Sequence, residues 1–131
     1  MRNLGYVLTT CLALMIVVGC GSTPIDTNFQ PRVVISQDNI QFQAAGIRRT
    51  TQTLTYQWQN SGTAASIDQT SSVSMGSAKI NLLDASNTMV YSGDLKTDGT
   101  FTSTAGTAGQ WTMQIVLSNV TGTLNFHAQK M

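Results

Sequence analysis

The chain has little charge and few of the residues that most often carry chemistry. Its 131 residues include no glutamate, one histidine, two cysteines and two prolines, and charged residues make up only 10% of it. Seven lysines and arginines stand against six aspartates, so the net charge is +1, without the basic stripe that nucleic-acid binding requires. We therefore expect no nucleic acid among its partners.

Both cysteines lie within the first 20 residues, at Cys11 and Cys20, which leaves none in the rest of the chain for a disulfide or a thiolate site. A zinc site needs three or four Cys, His or carboxylate ligands in one set, and the chain offers a single histidine, His127. The folded part of the protein must therefore be stable through its apolar core alone.

Two pairs of residues are candidates for a calcium site. Asp94 with Asp98, and Asp84 with Asn87, supply the carboxylate and amide oxygens that calcium prefers. The same residue types are common in turns, where their short side chains accept hydrogen bonds from the nearby backbone. The turn interpretation is the simpler one, so the sequence predicts no metal and no cofactor.

The sequence carries no recognisable catalytic motif. It has neither the Gly-x-Ser-x-Gly nucleophile elbow nor a Ser-x-x-Lys pair. A Ser-His-Asp triad would need His127 beside a serine and a carboxylate, yet His127 alternates with Phe126 and Ala128 and so belongs to a solvent face. We predict a protein without catalytic residues. The alternative is a hydrolytic enzyme whose site is built from scattered serines and aspartates with His127.

The only long apolar run lies at the N-terminus. Residues 4–18 follow Arg2 and are shorter than the ~20 residues of a membrane-spanning helix. The run ends in Val17-Val18-Gly19-Cys20, which resembles the lipobox of bacterial lipoprotein precursors. The resemblance implies cleavage before Cys20, a diacylglycerol on its thiol and a fatty acid such as palmitate on its new amino group. An ordinary secretory signal cleaved after Gly19 is the alternative.

The resemblance to lipoproteins implies a domain organisation and a localisation. Residues 1–19 are then a signal peptide, residues 20–31 a lipidated tether that holds both prolines, and residues 32–131 the folded domain. The lipid on Cys20 would anchor the protein to a membrane of the bacterial cell envelope. In lipoproteins of this kind, an aspartate after the cysteine goes with retention before the outer membrane. Gly21 stands at that position here, so the resemblance implies transport to the outer membrane if the host has two membranes.

Beyond residue 31, apolar side chains recur at every second position. The clearest runs lead from Leu54 to Trp58, from Ala78 to Leu82 and from Trp111 to Leu117. Such alternation is typical of half-buried antiparallel strands, and the turn signal Asp98-Gly99 predicts a type I′ hairpin. The predicted strands are residues 32–36, 39–44, 50–59, 65–74, 77–84, 88–95, 99–104, 109–118 and 121–129.

About nine short strands predict a single all-β domain in which two antiparallel sheets pack as a sandwich. The C-terminal pattern, with alternating apolar residues from Trp111 to Leu117 and again from Leu124 to Phe126, resembles the closing hairpin of jelly-roll modules of secreted bacterial proteins. That class includes carbohydrate binders and spacers, so a function does not follow from the fold. We expect the domain to be a monomer.

The aromatic residues divide into core candidates and surface candidates. Trp58 and Trp111 each share a strand face with other apolar residues, which predicts that both are buried with their indole N–H bonded to the backbone. Phe29 and Tyr91 are the candidates for an exposed ligand contact. The sequence thus predicts an envelope-anchored lipoprotein with a binding or a purely structural β-sandwich, whose candidate partners are an envelope protein or a glycan.

Overall fold

The computed structural model describes residues 30–131. The predicted signal peptide, the lipidation site Cys20 and most of the tether, including Phe29, lie outside the described residues. Regular structure within the described range consists of β-strands, which confirms the all-β prediction. No helix in this range is long and apolar enough to cross a membrane.

Seven strands build the domain, and every pairing between them is antiparallel. They are β1 (Arg32–Ser36), β2 (Asn39–Asn60), β3 (Ala65–Gln69), β4 (Ser72–Leu83), β5 (Met89–Asp94), β6 (Gly99–Thr102) and β7 (Gly109–Lys130). The two longest strands, β2 and β7, pair with each other along almost their whole length and run through both layers of the domain.

The two layers share these long strands. Residues 39–44 of β2 and 124–130 of β7 lie in sheet I, which has the strand order β1-β2-β7-β3-β6. Residues 52–60 of β2 and 109–117 of β7 lie in sheet II, in the order β2-β7-β4-β5. The result is a jelly-roll-like antiparallel sandwich, as the sequence predicted.

A bend that we call the corner carries the long strands from one sheet to the other. It comprises residues 45–51 of β2, 118–122 of β7 and 74–76 of β4, where the pairing register shifts. Gly76 and Gly122 have positive φ angles of 79° and 146°. A Cβ atom at these positions would lie 2.1 Å and 2.2 Å from backbone carbonyl oxygens, so the close approach of the strands requires glycine.

The predicted number of nine strands is wrong because the corner bends strands without ending them. Predicted strands 39–44 and 50–59 are one strand, β2, and predicted strands 109–118 and 121–129 are one strand, β7. Bulges absorb the extra residues while the strands continue to pair on either side. The break missed by the sequence lies elsewhere, between the end of β3 at Gln69 and the start of β4 at Ser72.

The predicted hairpin at Asp98-Gly99 is also wrong. β5 pairs with β4 in sheet II, whereas β6 pairs with β3 in sheet I, so the chain crosses between the sheets at this point. The turn is formed earlier, where the Asp94 carbonyl accepts a hydrogen bond from the Thr97 N–H at 3.1 Å. Leu95 is fully buried and anchors the crossing in the core.

Apolar side chains from both sheets fill the interior. The largest fully buried ones are Trp58, Trp111, Phe42, Phe126, Ile40, Ile47, Ile67, Ile80, Leu82, Leu95, Met113 and Ile115. Trp58 and Trp111 face each other across β2 and β7 in an edge-on arrangement with ring centroids 5.9 Å apart. The prediction that both are buried is confirmed.

The two indole N–H groups differ. Trp111 Nε1 donates a hydrogen bond to the Thr107 carbonyl at 2.8 Å, as predicted. Trp58 Nε1 is buried without a hydrogen-bond partner among the described residues, so the prediction of a backbone bond is wrong there. The pattern of alternation places an aromatic ring in the core but does not supply an acceptor for its nitrogen.

Candidate binding cleft

The outer face of sheet II carries amide and hydroxyl side chains in cross-strand rows. One row crosses four strands through Thr55, Gln114, Asn81 and Ser92. Asn81 Nδ2 donates to Gln114 Oε1 at 3.1 Å, and Ser92 Oγ donates to Asn81 Oδ1 at 2.8 Å. These bonds hold the central amides in place on an outer surface with few charged groups.

At one end of the sandwich, a cleft of about 250 Å³ opens where the β1–β2 turn approaches the end of β2 and the start of β7. We call it the glutamine cleft. It is lined by Ile35, Ser36, Gln37, Gln57, Trp58, Gln59 and Gln110. The lining contains four amide side chains and no charged one, a chemistry that suits a neutral ligand able to form hydrogen bonds.

Asp38 fixes the wall of the glutamine cleft that the β1–β2 turn provides. Its backbone has a φ of 62°, and its N–H donates to the Gln59 carbonyl at 2.8 Å. Its carboxylate accepts the Ser61 N–H at 2.6 Å and the Ser61 hydroxyl at 2.9 Å. The backbone hydrogen bond from Ser61 is the largest cause that lowers the pKa of Asp38 below 3.8. The two walls are therefore connected through one ionised side chain.

The amides of the glutamine cleft keep free hydrogen-bonding atoms. Gln110 Nε2 donates to Gln57 Oε1 at 2.9 Å, which orients both side chains. Gln57 Nε2, Gln110 Oε1 and both polar atoms of the Gln59 side chain have no hydrogen-bond partner within residues 30–131. The cleft thus presents donors and acceptors side by side.

Trp58 lies on the inner side of the glutamine cleft with only 2% of its surface exposed. Its Nε1 is the one buried side-chain N or O atom without a hydrogen bond in the part of the chain that the structure describes. Leaving such a donor unpaired costs about 1–3 kcal/mol. A ligand oxygen or an ordered water that reached this nitrogen would supply the missing acceptor.

His127 lies outside the glutamine cleft, on the outer face of sheet I. Its Nε2 is 3.3 Å from Asp68 Oδ2, and Thr100 Oγ1 donates to Asp68 Oδ1 at 2.6 Å. A triad requires the hydroxyl on the imidazole, whereas here the hydroxyl and the imidazole both contact the same carboxylate. The cross-strand neighbours of His127 are Gln41 and Asp68. The fold therefore brings His127 and one aspartate together, as the hydrolytic alternative requires, but it places no serine on the imidazole among the described residues.

The candidate calcium ligands serve as turn residues. Asp84 Oδ1 accepts the N–H groups of Ser86 and Thr88, both at 2.9 Å, and Oδ2 accepts the N–H of Thr107 at 2.8 Å. The Thr88 bond is the largest cause that lowers the pKa of Asp84 below 3.8. Asp94 Oδ1 similarly accepts the Lys96 N–H at 2.9 Å. Residues 30–131 contain no group of three or more His, Cys, Asp or Glu side chains placed to hold a metal ion.

Tyr91 is not the exposed aromatic that the sequence led us to expect. It is half-buried, its hydroxyl donates to Gln69 Oε1 at 3.0 Å, and its ring lies 6.2 Å from that of Phe101. Burial raises the pKa of Tyr91. The exposed large apolar side chains in the described range are Val34, Ile35, Met75, Met89 and Met131. The aromatic-contact prediction is therefore wrong for Tyr91, and for Phe29 it stays a prediction outside the described residues.

No family model matches this sequence, and no curated protein matches it. Similar solved structures include the carbohydrate-binding module CBM6cm-2 of Cellvibrio mixtus lichenase 5A in complex with cellotriose, with 14% identity, a TM-score of 0.46 and coverage of 80% of this chain and 88% of that one. The C-terminal CBM6 of the laminarinase LamC from Zobellia galactanivorans has 11% identity, a TM-score of 0.37 and coverage of 79% and 90%.

A seed globulin is among the similar structures as well. Procruciferin, an 11S globulin from Brassica napus, has 19% identity and a TM-score of 0.34, with coverage of 70% of this chain and 22% of that one. At such low identities and TM-scores, the similarity concerns the arrangement of strands and does not extend to site residues. The case for a function must come from the surface of this protein itself.

Proposed function

We propose that this protein is a lipid-anchored, non-catalytic module of the bacterial cell envelope that binds a neutral, hydroxyl-rich ligand, a glycan, in the glutamine cleft. The observation that carries this proposal is the gathering of free amide donors and acceptors around a cleft with no charged lining. The lipobox sequence that ends at Cys20 supports the anchor.

Amides and sugar hydroxyls are chemically matched because each can donate and accept hydrogen bonds. A neutral hydrogen bond contributes about 0.5–1.5 kcal/mol net, and the half-exposed Ile35 offers an apolar wall for the carbon face of a sugar ring. A few such contacts would give about 4–5 kcal/mol, which corresponds to a Kd on the order of 1 mM.

The lipid anchor makes such weak binding useful. A module held at the membrane by acyl chains on Cys20 meets envelope glycans at a high effective concentration, so a single tight site is not required. In a host with two membranes, we propose the outer membrane as its location, and we propose that the mature protein is a monomer. Replacing Cys20 by Ser should prevent labelling by a fatty-acid analogue and release the domain; labelling of the variant would contradict the anchor.

The cleft is tested by titrating the mature chain, residues 20–131 with Cys20→Ser, with neutral oligosaccharides and recording chemical shifts and tryptophan emission. Trp58 lies directly beneath the cleft and should report on occupancy. The variants Gln57→Ala, Gln59→Ala and Gln110→Ala should each weaken binding by about three- to tenfold, the loss expected for one hydrogen bond.

Gln114→Ala is the matched control for the glutamine cleft. Gln114 lies on β7 and on the same face as Gln110, but it bonds Asn81 and does not line the cleft. Its removal should leave the affinity unchanged. Equal losses for Gln110→Ala and Gln114→Ala, or no glycan binding by the unmodified mature chain, would overturn the proposed site.

A further inference from the structure

The corner end of the molecule carries cationic side chains without acidic partners. Arg48 and Arg49 are adjacent where β2 bends, and Arg32, at the start of β1, pairs with Gln43, two residues before the corner begins. All three arginines are exposed. Within residues 30–131, the contacts between basic and acidic side chains are His127 with Asp68 and Lys130 with Asp38, so no described carboxylate lies within 4 Å of these arginines.

The backbone of the corner holds the arginine pair in a defined position. Arg49 has a φ of 42°, a left-handed conformation that is uncommon for residues other than glycine. Its N–H donates to Thr121 Oγ1 at 3.0 Å, and Thr50 Oγ1 donates to the Arg48 carbonyl at 3.1 Å. Two strands and their side chains hold this bend, so the backbone positions of both arginines are fixed.

A second cleft, of about 340 Å³, adjoins the corner, and we call it the arginine cleft. Its described lining consists of Gln30, Arg32, Gln43, Ala44, Ala45, Thr123, Leu124 and Asn125. A guanidinium, three amides and a hydroxyl are joined by one exposed apolar residue, Ala45, because Ala44 and Leu124 are buried in the core. A guanidinium combined with neutral donors is the set that binds phosphate well.

The tether reaches the domain at the arginine cleft. Gln30, the first described residue, is part of the lining, and Cys20 lies ten positions earlier in the sequence. Ten residues span at most ~33–36 Å even when fully extended, so a lipid on Cys20 would limit the distance between Gln30 and the bilayer to that length. Met75, which pairs with Thr121 at the corner, is 49% exposed and adds an apolar side chain to the same end.

We infer that the corner end docks on the membrane, with Arg32 holding a lipid headgroup phosphate in the arginine cleft while Arg48 and Arg49 contact neighbouring phosphates. This inference rests on the lipid anchor of the proposed function. It also orients the domain, because Arg32 and Ser36 are the two ends of β1 and the glutamine cleft lies at the Ser36 end. Docking through the corner directs the glutamine cleft away from the bilayer.

The experiment measures co-sedimentation of the mature chain, residues 20–131 with Cys20→Ser, with vesicles of equal parts phosphatidylglycerol and phosphatidylcholine. Each arginine near an anionic surface strengthens binding about fivefold. The triple variant Arg32→Gln, Arg48→Gln, Arg49→Gln should therefore lower the partition coefficient on the order of 100-fold. Binding should also weaken with added salt and be absent on pure phosphatidylcholine.

The matched control compares two single variants: Lys130→Gln removes a charge beside Asp38, at the end with the glutamine cleft, and Arg48→Gln removes one at the corner. Lys130→Gln should retain most of the vesicle binding, whereas Arg48→Gln should weaken it about fivefold. Equal losses for these two variants would show a response to net charge alone and overturn the docking surface. Titration with inorganic phosphate is the second arm: saturation of the arginine cleft by free phosphate, with no binding to vesicles, would also overturn it.

The vesicle experiment can fail or succeed independently of the tests of the proposed function. Fatty-acid labelling of Cys20 tests the anchor, oligosaccharide titration tests the glutamine cleft, and vesicle binding tests the corner. The arginine triple variant should bind oligosaccharides as tightly as the unmodified mature chain, which also shows that it is folded. If it does so and still sediments with anionic vesicles like that chain, the docking inference fails while the proposed function stands.

Discussion

The two ends of this sandwich are built by different means. At the corner end, strands approach each other so closely that glycine is required at Gly76 and Gly122, and backbone geometry defines the shape. At the end with the glutamine cleft, the carboxylates of Asp38 and Asp84 accept backbone N–H groups from turns that belong to other parts of the chain. The corner end depends on close backbone approach at glycines, and the other end depends on ionised carboxylates.

The difference shows how a small domain without disulfides closes both ends of its core. At the corner the strands can approach closely because no Cβ intervenes at the glycines, and the hydroxyls of Thr50 and Thr121 add hydrogen bonds to the bent backbone. The opposite end must instead satisfy the N–H groups of wide turns, and a carboxylate can accept several at once. Sensitivity to substitution and to pH should therefore be distributed unequally between the ends.

The largest expected effect is at the cleft end, for Trp111→Ala. Trp111 is fully buried against Trp58, and its Nε1 binds the Thr107 carbonyl, so the change removes core volume and a tie to the 103–109 segment. We expect a loss of about 3–5 kcal/mol in the free energy of unfolding, measured by urea denaturation. A loss below about 1 kcal/mol would show that side-chain packing does not hold this end.

Gly76→Ala tests the corner. A Cβ here would lie 2.1 Å from the Asn119 carbonyl oxygen in a backbone with φ of 79°, so we expect a loss of about 2–4 kcal/mol. Gly46→Ala is the control, because Gly46 has a φ of 68° and no atom within 4 Å of the added Cβ. It should cost only about 1 kcal/mol. Equal costs for the two variants would mean that conformation, and not close approach, shapes the corner.

Acid should act on the cleft end first. Hydrogen bonds from backbone N–H groups lower the pKa values of Asp38 and Asp84 below 3.8 in the folded protein. Their stabilisation is therefore complete above the unfolded value of about 3.8 and is lost as the pH falls through the folded pKa. The melting temperature, measured from about pH 6 to pH 2, should fall as the pH drops below about 3.8. The residues of the corner include no carboxylate, so acid should not act there.

Asp84→Asn should make the protein less stable at neutral pH and reduce the dependence of its melting temperature on acid. The Asn amide has one acceptor oxygen and cannot serve the Ser86, Thr88 and Thr107 N–H groups as the carboxylate does. Asp98→Asn is the control, since the Asp98 carboxylate accepts no hydrogen bond from the described residues. If Asp84→Asn showed the same dependence of melting temperature on acid as the unmodified protein, the prediction that acid acts first at the cleft end would be contradicted.

The smallest effect is expected for His127→Ala, which belongs to neither end. The side chains of His127 and Asp68 are 33% and 36% exposed, so their pair contributes less than about 1 kcal/mol to stability. Oligosaccharide binding should also be unchanged, because His127 does not line the glutamine cleft. Loss of a hydrolytic activity in this variant would instead establish the enzyme alternative.

Alternation of apolar residues predicted the strands well and their connections poorly. Period-two runs identified the buried faces around Trp58, Trp111 and Phe126, because a strand that buries one face must alternate whatever its partner is. The same signal cannot distinguish a bulge from a turn, so β2 and β7 were each divided at the corner. Asp98-Gly99 looked like a hairpin because local turn chemistry does not reveal which sheet the next strand joins.

The candidate site was less accessible to sequence reasoning. Nothing in the separation of Gln37, Gln57 and Gln110 along the chain indicates that they share a cleft. Nor does the sequence reveal that Asp68 lies beside His127, because that contact follows from the pairing of β3 with β7. Arg48 and Arg49 are adjacent in the sequence, but only the bent strand places them at the corner, which adjoins the arginine cleft.

The amino-acid sequence by itself determined the secondary-structure class and the burial of the tryptophans, and it carries the resemblance to a lipobox at Cys20, because each depends on the local order of residue types. Tertiary structure alone decided the strand pairing, the shared strands and the two clefts. These depend on the register between distant segments, where a shift of one residue turns every side chain to the opposite face. The gathered glutamines and arginines are therefore properties of the fold, since contacts between residues far apart in the chain create them.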